Sequence, residues 1–259
     1  MRSLRTFVWF GLSLCAGCLD PDGFRKNPDF LVIGHRGAPH EAAENTLPAF
    51  DAAVQLGANA RELDLCVTQD GAIVVWHDRD PDDTVALARQ SGVEGLLYRP
   101  WVPDVSSPLR RPVDELSLAD FFANYGYSRD GSTRDTQAVI PLLGDFVAWL
   151  ELNSGDVRAV YLDVKMGAGQ TALAELIMTE VESARVAHGG LPEVRIYFIS
   201  PHQDIVEALI ARRDQLGASD FRPAGDFETS GALAGTEMLG LRDISTGLTP
   251  LRIETEFLA

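Results

Sequence analysis

The chain has 259 residues, 46% of them hydrophobic and 23% charged, with 38 acidic against 22 basic side chains and a formal net charge of −16. That length suits one barrel of roughly 200–250 residues or two smaller domains. The acidic balance excludes a basic footprint for nucleic acid and is repelled by a bare anionic membrane, although a local cation can still hold a small phosphate ester.

The chain opens on a short basic segment, Met1-Arg2-Ser3-Leu4-Arg5, followed by the apolar run "FVWFGLSLCAG" over 7–17. This is the layout of a secretory signal, and the run is too short to span a bilayer. "LCAGC" resembles a bacterial lipobox, with Cys15 where that motif usually has Leu. Residues 1–17 are therefore expected to be a signal peptide, Cys18 a lipidated cysteine, and 18–29 a tether rich in Asp, Pro and Gly. The expected location is the outer side of a bacterial membrane, facing the periplasm or exterior, with contact to the membrane through the lipid. Cleavage before Cys18 would leave Cys66 alone, without an internal disulfide.

From residue 30 apolar runs alternate with amphipathic ones. The patterning predicts strands at 31–35, 60–66, 72–77, 159–164, 195–200, 221–227 and 237–243, and helices at 45–57, 117–125, 141–152, 169–187 and 203–216. Such alternation argues for an α/β fold with a parallel sheet. A proline-rich stretch, 79–115, breaks the rhythm and reads as an insertion or lid beside the site.

The chemistry concentrates at strand ends. In "RELDLCV" alternate residues share a face, so Glu62, Asp64 and Cys66 point one way. Two carboxylates on a strand flanked by Leu and Val need a cation to offset burial. "AIVVWHD" ends in His77-Asp78, "YLDVK" carries Asp163 and Lys165 on one face, and "LVIGHRG" ends in His35-Arg36. Polar groups at the carboxyl ends of parallel strands are how α/β barrels build active sites. Oxygen ligands from Glu62, Asp64 and Asp163 suit a hard divalent cation, Mg²⁺ or Ca²⁺. Arg36 and Lys165 can hold phosphate oxygens, and His35 and His77 can act as base and acid. The set suits phosphodiester cleavage.

"HRG", then "ENTLPAF", then "ELDLCVTQDGAIVVWHD" resembles the glycerophosphodiester phosphodiesterase family, closely over 31–78 and more weakly at "IPLL" and "YLDVK". The resemblance implies a TIM-type (β/α)8 barrel and a metal-dependent hydrolase. Its substrates would be glycerophosphodiesters such as glycerophosphocholine, cleaved to glycerol 3-phosphate and an alcohol. It implies His35 and His77 as the acid–base pair, and Glu62, Asp64 and Asp163 as metal ligands. Asp163 stands where the family more often has Glu. Gly37 would allow a tight exit from the first strand, and Glu44-Asn45-Thr46 would cap the next helix and orient Arg36. With seven candidate strands, the expectation is a barrel lacking its last strand and helix, with exposed edges and reduced stability.

Two other readings stand beside this one. Tyr98, Trp101 and the expected anchor suit a phospholipase D-like enzyme acting on lysophospholipids. A non-catalytic glycerophosphodiester-binding lipoprotein would keep the pocket without turnover. No protein partner is implied. Asp78, Asp80 and Asp82 mimic the start of an EF-hand, but Asp83 and Arg89 stand where that loop needs Gly and Glu, so a solvated loop is expected. His40 is expected on the surface, His188 at a helix C-terminus, His202 at a helix start, and Cys66 as a packed thiol.

Overall fold

The computed structural model describes residues 31–226 and 244–245. The expected signal peptide, Cys18, the tether and the strand expected at 237–243 lie outside the described residues. In chain order the elements are β1 (Ile33–His35), α1 (Leu47–Gln55), β2 (Ala60–Val67), β3 (Ile73–Val75), α2 (Thr84–Gln90), β4 (Arg99–Trp101), α3 (Leu118–Asn124) and β5 (Gly126–Ser128). There follow α4 (Leu143–Leu152), β6 (Ala159–Val164), α5 (Thr171–Ala187), β7 (Arg195–Ser200), α6 (Gln203–Leu216), β8 (Phe221–Asp226) and β9 (Ile244–Ser245).

Strands β1, β2, β6, β7, β8 and β9 lie side by side in that order, each parallel to the next. Among the described residues no pairing joins β9 back to β1. Helices cover the outer face. In α5 the buried residues Ala174, Ile177, Met178 and Val181 recur at helical spacing. They join Phe146 and Leu150 of α4, Ile205 and Leu209 of α6, and the outward residues Leu63, Leu65, Val67, Leu162 and Phe198 in one apolar layer. Each of the larger side chains, from Val to Phe, contributes about 1.5–3 kcal/mol by leaving water. The inner face is lined at its base by Ala60, Ala159, Tyr161, Tyr197 and Ala224, with the two tyrosine rings stacked at 4.5 Å. No described helix is long and apolar enough to cross a membrane.

One strand expectation is corrected. Residues 72–77 do not add a parallel barrel strand. β3 pairs antiparallel to the end of β2, with Leu65 opposite Val75 and Val67 opposite Ile73. The link between β2 and β3 is too short for a crossover, which needs a dozen or more residues. Asp70-Gly71, with Gly71 at φ 83°, makes a hairpin turn instead.

The insertion also runs further than 79–115. β4 pairs antiparallel with β5, so the segment reaches past residue 126 and takes in α3, the helix expected at 117–125. Its core gathers on Trp76, whose ring meets Phe121 at 5.8 Å, Tyr125 at 6.3 Å and Tyr127 at 5.1 Å. Val74 and Cys66 complete that cluster from the barrel side. The two faces of the β2–β3 hairpin thus belong to different cores.

Candidate active site

Register brings the carboxylates together. His35 lies opposite Glu62 across β1 and β2, and Asp64 lies opposite Asp163 across β2 and β6. Glu62, Asp64 and Asp163 are all buried and offer oxygens within 4.8 Å of one another. His35 Nε2 stands 3.7 Å from Glu62 Oε2.

The turn after β1 is shaped for close packing. At Gly34 a Cβ would meet Ala53 Cβ at 2.9 Å, and at Gly37, with φ +87°, one would meet the Ala49 backbone at 2.7 Å. Arg36 and Asn45 both have φ 54°, a sparsely populated region for side-chain-bearing residues and rarer for Arg than for Asn. The fold holds them there. The Arg36 N–H donates to Glu62 Oε2 at 2.9 Å, and the Asn45 N–H donates to Arg36 O at 3.0 Å. Asn45 Nδ2 donates to Asp64 Oδ2 at 2.6 Å, while the Asp64 N–H donates back to Asn45 Oδ1 at 3.2 Å. Thr46 is the N-cap of α1, accepting from the Ala49 N–H at 3.4 Å. Glu44 does orient Arg36, whose Nη1 donates to Glu44 Oε2 at 3.0 Å.

Three buried like charges shift one another. Burial, then Asp64 and Asp163, push the Glu62 carboxyl well above the ordinary range, and burial also raises Asp163. Burial opposes ionisation of Asp64 too, but Lys165, His77, Arg36 and the Asn45 hydrogen bond hold it well below the ordinary range. Lys165, expected at the phosphate, sits among these carboxylates. Its Nζ pairs with Asp163 Oδ2 and lies 3.2 Å from Asp64 Oδ1. Against desolvation, Asp163 and Asp64 raise its ammonium group. Desolvation and then Arg36 push the His35 imidazolium down, an effect that its 67% exposed side chain moderates.

The donor set fits a hard cation. Asp163 Oδ1 is buried with no hydrogen-bond donor, and Asp64 Oδ1 is buried with no hydrogen bond beyond its ion pair to Lys165, and such oxygen atoms are what a hard cation takes. Lys165 faces Asp64 and Asp163, and Arg36 Nε lies 3.5 Å from Asp64 Oδ2 while its Nη1 is held by Glu44, so the three carboxylates still outnumber the two cations among them.

His77 stands at the exit of β3 with Nδ1 2.6 Å from Asp78 Oδ1. Opposite a carboxylate, Nδ1 carries the proton and Nε2 is left for exchange. His77 lies within electrostatic range of both Asp64 and His35, so the two imidazoles are near one group of carboxylates.

Sequence reasoning missed three participants. Asn45, expected in the segment that caps α1 and orients Arg36, also braces Asp64. Asp78, expected in a solvated loop, is buried against His77 and Arg89. The adjacency of His77 and Asp78 at a strand end was the available signal. Arg89 had none beyond its mismatch with an EF-hand. Asp80 Oδ1 accepts from the Asp82 N–H at 2.9 Å and Asp82 takes Arg110, so the loop is a turn and an ion pair. Cys66 is packed as expected, its Sγ donating to Trp76 O at 3.2 Å. His40 is exposed, His188 pairs with Glu151 at 2.6 Å, and His202 is the N-cap of α6. Tyr98 and Trp101 are half-buried and lie under Arg129 and Arg134 at 4.7 and 5.9 Å.

A parallel sheet flanked by helices, with carboxylates and histidines gathered at its strand ends, defines a TIM-type α/β protein with a polar site where such barrels place their chemistry. The sequence pattern of the Glycerophosphoryl diester phosphodiesterase family matches residues 35–217, and the chain belongs to that family. It is similar to a glycerophosphodiester phosphodiesterase of Caldanaerobacter subterraneus subsp. tengcongensis, 35% identical over 139 residues that make up 52% of this chain and 50% of the relative. It is also similar to the human lysophospholipase D GDPD1, 42% identical over 71 residues, 27% of this chain and 21% of that one. The chain thus spans about half or less of the length of these curated relatives. Among solved structures it resembles an Oleispira antarctica phosphodiesterase in complex with the product sn-glycerol-3-phosphate. There the TM-score is 0.58 at 18% identity, over 83% of this chain and 74% of that one. A glycerophosphodiester phosphodiesterase from Parabacteroides distasonis gives a TM-score of 0.55 at 16% identity, over 88% and 77%. These likenesses show the fold.

Proposed function

We propose that the chain hydrolyses glycerophosphodiesters, such as glycerophosphocholine, to glycerol 3-phosphate and an alcohol, with a divalent cation held by Glu62, Asp64 and Asp163. The observation that carries this reading is the meeting of those three buried carboxylates with His35, Arg36 and His77 at one end of the sheet, in a chain of this family. The cation, when bound, would supply Lewis-acid polarisation of a phosphoryl oxygen. Arg36, with its fork oriented by Glu44, donates to a second phosphate oxygen. One histidine takes the proton of the attacking group and the other delivers a proton to the departing alkoxide. Asp78 keeps His77 in the tautomer whose Nε2 serves that exchange.

The test is release of glycerol 3-phosphate from glycerophosphocholine by the purified full chain, after chelation and again with Mg²⁺ or Ca²⁺ restored. Release that is lost on chelation and returns with the metal is expected. No release under either cation sinks the proposal.

Export and anchoring through Cys18 belong to the same proposal and rest on the leader-like 1–17 and the "LCAGC" that ends in Cys18. Labelled palmitate should enter the wild-type chain in a bacterial host and be absent from Cys18→Ala. Equal labelling of both would remove Cys18 from the account.

A further inference from the structure

Helix α2 of the insertion sends one side chain into the site from outside the barrel. Arg89 Nε lies 3.0 Å from Asp78 Oδ1, its Nη1 donates to Glu44 Oε2 at 3.3 Å, and its Nη2 pairs with Glu44 Oε1. Asp78 holds His77 Nδ1, and Glu44 holds Arg36 Nη1. An unbroken line therefore runs His77–Asp78–Arg89–Glu44–Arg36, from the exit of β3 to the exit of β1. Its members are shielded from solvent, with side-chain exposures of 12, 1, 2, 3 and 11%. Glu94, just beyond α2, leans on the same line, 3.5 Å from Arg89 Nη1 and 3.8 Å from Arg36 Nη1.

The chemistry of this line favours arginine at its centre. Two carboxylates buried side by side need a shared cation. A guanidinium can face both with separate N–H edges, which a single ammonium cannot do. Burial raises the Glu44 carboxyl, to about 8, and Arg36 pulls the other way. Every neighbour hydrogen-bonded to its oxygens is an N–H donor, so those oxygens serve only as acceptors, as in the ionised form.

Resting on the functional reading above, we infer that Arg89 is a positioning residue through which the insertion sets His77 and Arg36 together. It contacts none of the three metal-type carboxylates, and it acts through Asp78 on one side and Glu44 on the other. The proton-transfer group and the phosphate-holding group then share one mechanical support, supplied by a segment outside the barrel layers.

The experiment compares the full-length wild type with Arg89→Lys, Arg89→Met, Asp78→Asn, Glu44→Gln and Tyr125→Phe, each checked for folding. Arg89→Met is also made together with Glu44→Gln, which removes one charge left without a partner. Tyr125→Phe is the control. It loses an insertion anchor, the hydroxyl bridging Leu109 O and Arg111 O at 3.1 and 2.9 Å, without touching the line. Asp78→Asn should chiefly lower kcat and Glu44→Gln chiefly raise KM. Both Arg89 variants should move both constants, for a loss of about 10–100-fold in kcat/KM. Tyr125→Phe should lower Tm and leave both constants unchanged.

Nitrogen NMR of His77 supplies a readout independent of turnover. The wild type should carry its proton on Nδ1, and the Arg89 variants should populate the other tautomer. A wild type without turnover defeats the functional reading, but the NMR comparison still judges the role of Arg89. A wild-type His77 protonated on Nε2 overturns the inference whether or not any variant folds. So does a folded Arg89→Lys with wild-type constants and tautomer, or a Tyr125→Phe as impaired as the Arg89 variants.

Discussion

The barrel strands and the insertion stabilise the same hairpin by different means. On the helix-covered side of β2, Leu63, Leu65 and Val67 join an aliphatic layer with Phe146, Ile177 and Phe198. On the other side Cys66 and Val74 meet an aromatic cluster of Trp76, Phe121, Tyr125 and Tyr127. Between them stand the carboxylates. The first core fixes where Glu62 and Asp64 point, because every residue of β2 is buried and its register to β6 is continuous from Ala60 to Leu65. The second core fixes where His77 points, because Trp76 immediately precedes it. The ligand group is thus built on barrel architecture and one of the two imidazoles on the insertion, so the two cores should fail differently.

The largest effect tests whether the two imidazoles are equal partners. His35→Ala removes the histidine carried by the barrel and His77→Ala the one carried next to the insertion. Each should lower kcat by about 10²–10⁴-fold if both transfer protons. Steady-state rates with glycerophosphocholine decide it, and a His35→Ala enzyme with near wild-type kcat would confine proton transfer to the insertion side. The next effect separates the cores. Phe121→Ala and Phe146→Ala remove buried rings of the same size, and each should cost about 3–5 kcal/mol of stability. Urea unfolding should give similar losses. Assayed well below its melting range, Phe146→Ala should keep its kcat and Phe121→Ala should not, because Phe121 packs edge-on against Trp76. Equal kcat in both would break the link between the aromatic core and His77.

The strand-borne part of this arrangement was legible in the sequence. Alternation along "RELDLCV" puts Glu62 and Asp64 on one face, and the same period in "YLDVK" puts Asp163 and Lys165 on one face. What alternation cannot give is register, and it is register that sets Asp64 opposite Asp163. The direction of β3 was misjudged because an apolar run looks alike in parallel and antiparallel pairing, although the Asp-Gly between the runs was a hairpin signal. The insertion was the least legible part. β4 and β5 have three residues each and pair across a gap of more than twenty, and proline in both the loop and β4 hides them. Arg89 finds Glu44 across a separation of 45 residues, and no local pattern encodes such a contact.

The smallest effect concerns Cys66, which lies where the two cores meet. Its side chain is fully buried, and burial, then Asp64, raise its thiol well above the ordinary range. Burial disfavours the thiolate, which is the form that reacts. Raising the pH through the ordinary thiol range near 8.5 should therefore add no reactivity in the native chain. N-ethylmaleimide should leave the Cys66 peptide unlabelled at pH 8 and at pH 9, as read by mass spectrometry, and should label it fully in denaturant. In Phe121→Ala, labelling should appear at a rate set by local opening of the aromatic core, whereas Phe146→Ala should leave Cys66 protected until global unfolding. Rapid labelling of the native wild type would mean that the insertion opens from β2 on its own. The fixed position of His77 could not then be credited to the aromatic core, and the support for that imidazole would have to come from Asp78 and Arg89 alone.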